Sequence, residues 1–255
     1  MDIIFPLLTP NELLIACLIA VLAGFVKGVV GFAMPLVLVS GLTTFMSPEL
    51  ALAGLIVPTV ITNAHQALRQ GIPAARKSVV DFKVFLLAGL LALLATAQMV
   101  RVFPDQVMMA VIGVPVTFFA LLQLGGHQFQ LSGRSRSIEV VAGAIAGGLG
   151  GVSGIWGPPT VAYLTALNTP KHDQIRIQGV IYGLGAVVLL FAHIGSGVLR
   201  AETIGFSLAL VPTAYLGMRI GLSAMDRINQ IVFKRATLFV LLVAGLNLIR
   251  RAWMG

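Results

Sequence analysis

The sequence is short of charge and nearly without cysteine. Asp, Glu, Lys and Arg together supply 10% of the 255 residues, and only nine residues are acidic. Cys17 is the single cysteine, so no internal disulfide can form, and it reads as a packed apolar side chain. Polar stretches never exceed the length of a loop, which leaves no room for a soluble domain. Ten-residue segments of alternating polarity are missing, which excludes a membrane barrel. The sequence contains no GxxxxGK[ST], no HExxH and no GxSxG. The stretch GGLGGVSG offers G-x-G from Gly148, but Ser153 takes the last glycine position and no strand precedes it. The four histidines are scattered, without metal-ligand spacing. Neither enzyme activity, nor a cofactor, nor a metal is expected.

What is present is apolar sequence. Hydrophobic residues make up 58% of the chain and mean hydropathy is +0.98. Apolar segments recur at about 12–46, 50–68, 84–100, 106–124, 138–167, 177–199, 203–219 and 236–250. Most are long enough to cross a hydrocarbon core of roughly 30 Å. Only helices satisfy their backbone there once barrels are excluded, so an all-α polytopic membrane protein is expected. The amino-terminal MDIIFPLLTPNE lacks the basic region of a cleavable signal, so the first segment is expected to remain in the mature protein. The net charge of +8 does not point to nucleic acid, because the basic residues fall in short connections, where they fix topology or meet anionic lipid.

Two segments, 12–46 and 138–167, are too long for one crossing, and glycine clusters interrupt both. The interruptions align. AGFVKGVVGFAMP (23–35) over AGGLGGVSGIWGP (146–158) matches Gly24 with Gly147, Gly28 with Gly151, Gly31 with Gly154 and Pro35 with Pro158 without a gap. The pattern GxxxGxxGxxxP, followed each time by three plain apolar segments, reads as a duplicated unit, residues 1–125 and 126–255. If each interrupted segment is a hairpin, the copies are inverted; if each crosses once, they are parallel. The hairpin places Arg69, Arg76, Lys77, Lys83, Arg134, Arg136, Lys171, Arg176, Arg219, Arg227, Lys234 and Arg235 on the cytoplasmic side. Only Arg101, Arg200, Arg250 and Arg251 fall outside, and Lys27 stays in the membrane. The single crossing divides the basic residues almost evenly. The positive-inside rule therefore selects two inverted repeats, each a glycine/proline-broken helical hairpin followed by three transmembrane helices, with both termini outside.

Glycine and proline together let a helix stop, turn and restart within the bilayer, which is tolerated where protein buries the backbone or water reaches it. A restarting half-helix presents free N–H groups to an anion, and two such ends from inverted halves would make one midplane site. The competing reading is that the glycines serve only close helix packing.

Lys27 is the one charged residue well inside an apolar segment, 15 residues past Glu12, or about 22 Å along a helix. It reads as the counter-charge for an anionic substrate, against the alternative that it snorkels to the cytoplasmic surface. Its partner position in the second copy is Gly150. Candidate substrate-binding positions are Lys27, Gly28, Gly31 and Pro35 in the first break, and Gly151, Ser153, Gly154, Trp156, Gly157 and Pro158 in the second. Ser153, Trp156 and Thr160 surround the second break and each alone reads first as structural, while Asn63, His65, Tyr182 and His193 are weaker candidates. Arg69 and Arg176 read as anchors at cytoplasmic ends. The acids all lie in or beside connections, so no buried carboxylate is expected for a proton or sodium relay. A monoanion leaving a cell gains about 2.3 kcal/mol per 100 mV without coupling, which favours export. A passive anion channel and a non-transporting membrane assembly subunit are the alternatives.

GFVKGVVGFAMPLVLV with SPELALA downstream, and GGLGGVSGIWGPPTVAYL in the second half, resemble the TauE/SafE sulfite exporter family. The resemblance covers nearly the whole chain. It implies a multi-pass carrier of the bacterial inner membrane for small sulfur-containing anions such as sulfite and organosulfonates, with the two glycine-rich breaks as its functional core. Phe32 and Met34 depart from more glycine-rich versions of the motif, and Lys27 is not expected throughout the family. The expected partners are a small anionic substrate and membrane lipid, not nucleic acid, with a homodimer left open.

Overall fold

Thr9 starts the first helix. Its hydroxyl accepts from the Glu12 amide at 3.3 Å while the Glu12 carboxylate accepts from the Thr9 amide at 2.8 Å, and Pro10 fills the first turn. This reciprocal capping box satisfies donors that a helix start otherwise leaves unpaired. The computed structural model describes residues 8–97, 105–127, 130–153, 157–195 and 197–254. Among them are eleven helices and no strand: α1 Pro10–Val30, α2 Met34–Leu42, α3 Pro48–Leu68, α4 Ile72–Asp81, α5 Lys83–Ala97, α6 Asp105–Leu124, α7 Arg136–Ser153, α8 Gly157–Ala166, α9 Lys171–Gly195, α10 Ala201–Arg227 and α11 Gln230–Met254.

By length and composition, α1, α3, α9, α10 and α11 are able to span a membrane, and the α4–α5 pair, bent by 68°, makes a sixth. Leu14, Leu18 and Leu22 of α1 are more than half exposed, as are Phe118 and Leu121 of α6. Large apolar side chains left outside in such rows are lipid-facing, not solvent-facing. The protein is an all-α polytopic membrane protein.

The chain forms two compact units. The first contains residues 1–71 and 175–229, hence α1, α2, α3, α10 and α9 from Ile175 onward. Helix α1 ends where Gly31 adopts a left-handed φ of 88° and returns its N–H to the Lys27 carbonyl at 2.7 Å. Ala33 then takes φ 72°, and α2 restarts with Pro35 in its first turn. Gly41, near the end of α2, lies against the Ile19 side chain, so α2 folds back antiparallel beside α1. Helices α3 and α10 run parallel. Glu49 at the start of α3 pairs with Arg200 at the start of α10 (2.9 Å), and Arg69 pairs with Asp226 at their far ends (2.5 Å). Their shared core contains Met34, Leu38, Leu42, Phe206 and Leu210, none of them exposed.

The second unit contains residues 72–174 and 230–255. Helix α7 runs parallel to α5, with Gly143 facing Phe85, Gly147 facing Gly89 and Gly148 accepting from the Thr96 hydroxyl at 2.8 Å. Helix α11 runs antiparallel to α6, Gly113 facing Ile249 and Thr117 facing Gly245. Phe85 stacks on Tyr163 of α8 with ring centroids 5.6 Å apart.

One connection is more ordered than hydropathy marks, and one sequence expectation needs correction. The connection before α5 is not a plain loop: Ile72–Asp81 is a helix, with Lys77 and Asp81 paired one turn apart at 2.8 Å. Hydropathy missed it because α4 is short and mixes exposed Ile72 and Val80 with charged residues. Buried carboxylates are also not wholly absent. Glu139 is 4% exposed, and its charge is met by Arg134 Nε at 2.7 Å and by its place in the first turn of α7.

Candidate functional site

The site is built in the first unit around the end of α1. Lys27 lies in the last turn of α1 and is 2% exposed, so its ammonium does not snorkel to a surface. The ammonium donates to the Asn63 side-chain oxygen on α3. No ion pair neutralises Lys27 among the described residues. A cation buried with a neutral amide for company retains most of its desolvation cost, which makes it a strong attractor for an anion.

Two glutamines hold the chain end beside it. Gln66 Nε2 donates to the Lys27 carbonyl at 3.2 Å. The Gln178 amide, oriented by its hydrogen-bonding partners, donates to the carbonyls of Val30 and Gly31, each at 3.2 Å. A helix end inside a membrane leaves carbonyls without partners; Gln178 meets those of Val30 and Gly31, and Gln66 adds a second donor to the Lys27 carbonyl, which already accepts from Gly31. Gly31 is required twice over, by its φ and because a methyl group there would overlap the Gln178 side chain.

Polar groups without partners face this region. Among the described residues, Asn63 Nδ2 and Gln66 Oε1 meet no hydrogen-bond partner although both residues are fully buried, and the Thr59 hydroxyl meets none either. Thr59, Asn63 and Gln66 follow the i, i+4, i+7 spacing that places residues on one face of α3. On this face Asn63 has a donor and Gln66 an acceptor to offer to a bound molecule.

The structure brings together Lys27, Asn63 and Gly31 among the sequence candidates. Tyr182 is buried on α9, one residue before Gly183, whose nearest neighbour is Asn63. Pro35 sits in the first turn of α2, beyond the break. Gly28 points elsewhere: a methyl group there would overlap the backbone of Met218, Gly221 and Leu222 on α10. His193 lies eleven residues past Tyr182, about 16 Å further along α9, and is half-buried. His65 bonds the Tyr215 hydroxyl through Nδ1 at 3.1 Å. Gly157 and Pro158 open α8 in the second unit, with Thr160 fully buried one turn on. Gly151 and Ser153 close α7, but their side-chain surroundings lie outside the description, as do Gly154 and Trp156 entirely.

Sequence reasoning passed over Gln66 and Gln178. The available signal was a carboxamide inside an apolar run, one at a helical interval from Asn63 and one in IRIQGVIYG.

A protein-family model described as Sulfite exporter TauE/SafE matches residues 16–248. Comparison with curated proteins and with solved structures found no match.

Proposed function

Since the chain belongs to the TauE/SafE sulfite exporter family, a family of transporters, we propose that it is a secondary carrier that moves a small sulfur-containing anion, sulfite or an organosulfonate, outward across the bacterial inner membrane. The observation that carries this reading is Lys27, a buried ammonium with no carboxylate partner among the described residues, set at a helix break. Lys27 is the counter-charge for the travelling anion, and Asn63 holds it between cycles. Outward movement of a monoanion is favoured by a membrane potential that is negative inside, by about 2.3 kcal/mol per 100 mV.

An inverted duplication fits the helix directions. With a hairpin in each copy, α3 and α10 cross in the same sense, and α6 and α11 in opposite senses; single crossings reverse both relations. The parallel α3–α10 pair and the antiparallel α6–α11 pair support the hairpin count. Each copy's first helix also packs on the second of the three plain crossings of the other, α1 on α10 and α7 on α5. A homodimer and contacts with anionic lipid are compatible with this arrangement.

Proteoliposomes loaded with sulfite or an alkylsulfonate test the function under an imposed potential. Wild type is expected to release anion faster when the trans side is positive. Lys27→Gln is expected to lose at least tenfold of that flux at equal protein incorporation. Unchanged flux in Lys27→Gln removes the assigned role, and single-channel conductance steps would make the protein a channel.

A further inference from the structure

The cluster around Lys27 holds more information than the sign of its guest. Lys27 is the only charged side chain among the described buried residues of the first unit, since the other buried charge, Glu139, belongs to the second. One buried positive charge neutralises one negative charge. A dianion placed there keeps an uncompensated charge in a medium where that is costly. The unmet groups on α3 are of both kinds. Asn63 Nδ2 can only donate and Gln66 Oε1 can only accept. The orientation of Gln66 is fixed because its nitrogen is committed to the Lys27 carbonyl. Asn63 is fixed the same way, because its oxygen accepts a hydrogen bond from the Lys27 ammonium.

A fully deprotonated oxyanion satisfies Lys27 and Asn63 but presents another lone pair to Gln66 Oε1. An oxyanion carrying one proton satisfies all three. We infer that this site, taken as the anion site proposed above, selects a singly charged oxyanion bearing one hydroxyl, the class to which hydrogensulfite belongs, over both dianions and aprotic monoanions. Ammonium and Asn63 bind the deprotonated oxygens, and the hydroxyl donates to Gln66. Thr59, whose hydroxyl both donates and accepts, serves either end. Discrimination arises from Gln66, because a polar group left unpaired against the wrong ligand is what rejects it.

Two probes of one shape separate the effects. Methylphosphonate held as its monoanion at mildly acidic pH and methanesulfonate differ by a single hydroxyl proton, and sulfate supplies a dianion. Binding is read by isothermal calorimetry on the full-length protein in detergent. Wild type is expected to bind methylphosphonate monoanion about tenfold more tightly than methanesulfonate, as one satisfied buried acceptor implies, and sulfate most weakly. Gln66→Met is expected to collapse the tenfold ratio to near one. A merely structural role for Gln66 weakens both probes alike and leaves the ratio standing, which overturns the inference. Equal wild-type affinity for the two monoanions, or tighter binding of sulfate, also overturns it. Lys27→Met, checked for folding by thermal unfolding and against the charge-retaining Lys27→Arg, is expected to lose all three probes. If Lys27→Met retains them, the anion site itself is wrong; if it loses them while the wild-type ratio is one, only the selectivity is wrong.

Discussion

At Gly31 the backbone occupies a conformation that side chains resist, and the space a side chain needs is already taken by Gln178. Gly31→Ala is therefore expected to destabilise the protein by about 2 kcal/mol from conformational strain, with further loss from the displaced amide. Ala33 sits two residues on at φ 72° without glycine's freedom. Ala33→Gly should relieve strain of about 1 kcal/mol and raise the unfolding temperature in detergent. Opposite signs at two neighbouring positions check the geometry of the turn more sharply than either alone. Lys27 was legible as an outlier of charge in an apolar run. Gln66 and Gln178 were not, because a single amide in such a run has no period or motif. Their partners are main-chain carbonyls, which the sequence does not mark.

At the scale of helices, the duplicated glycines turn out to have divided duties. Gly24 and Gly28 press α1 onto α10, where Gly217 and Gly221 receive it, and Gly147 presses α7 onto α5 at Gly89. Among the described residues of the motif, Gly31 is the one that makes the turn. The sequence presented packing and breaking as rivals, yet one motif performs both, first a small-residue seam and then a left-handed cap. Spacing shows that glycines share a face but not what lies across it, so Gly89, Gly217 and Gly221 stayed invisible until the helices were paired. Gly24→Val and Gly147→Val are each expected to cost about 1–3 kcal/mol, the usual penalty of overpacking. Gly195→Ala, where the added carbon meets nothing within 4 Å, is the control expected to be neutral. Urea unfolding of the reconstituted or detergent-bound protein orders the three.

For the molecule as a whole, hydropathy and charge gave the all-α, multi-pass class. The order of crossings remained a choice of parity that composition alone weights without deciding. Ion pairs at both ends of α3 and α10 fix those two helices as parallel. Exposed pairs of this kind contribute only about 0–1 kcal/mol each, so Arg200→Ala is expected to leave stability nearly unchanged while the direction they report stands. Because Cys17 is the only cysteine, Cys17→Ser provides a clean background for labelling. Single cysteines introduced as Glu49→Cys and Glu202→Cys are expected to react with an impermeant maleimide from one side of the membrane. Gln70→Cys and Ile228→Cys are expected to react only from the other. Mixed labelling within either pair would dismantle the inverted arrangement.

Asn63 as the resting companion of Lys27 has an implication for speed. A carboxylate in that position would bind the ammonium so firmly that incoming cargo had to win a contest of equals, and an empty pocket would leave release uphill. A neutral amide is a weak rival: its oxygen stays on Lys27 while its nitrogen is offered to the cargo, so no bond of equal strength has to be broken on arrival or remade on departure. Such an arrangement would hold affinity down and let the cycle of the proposed carrier run.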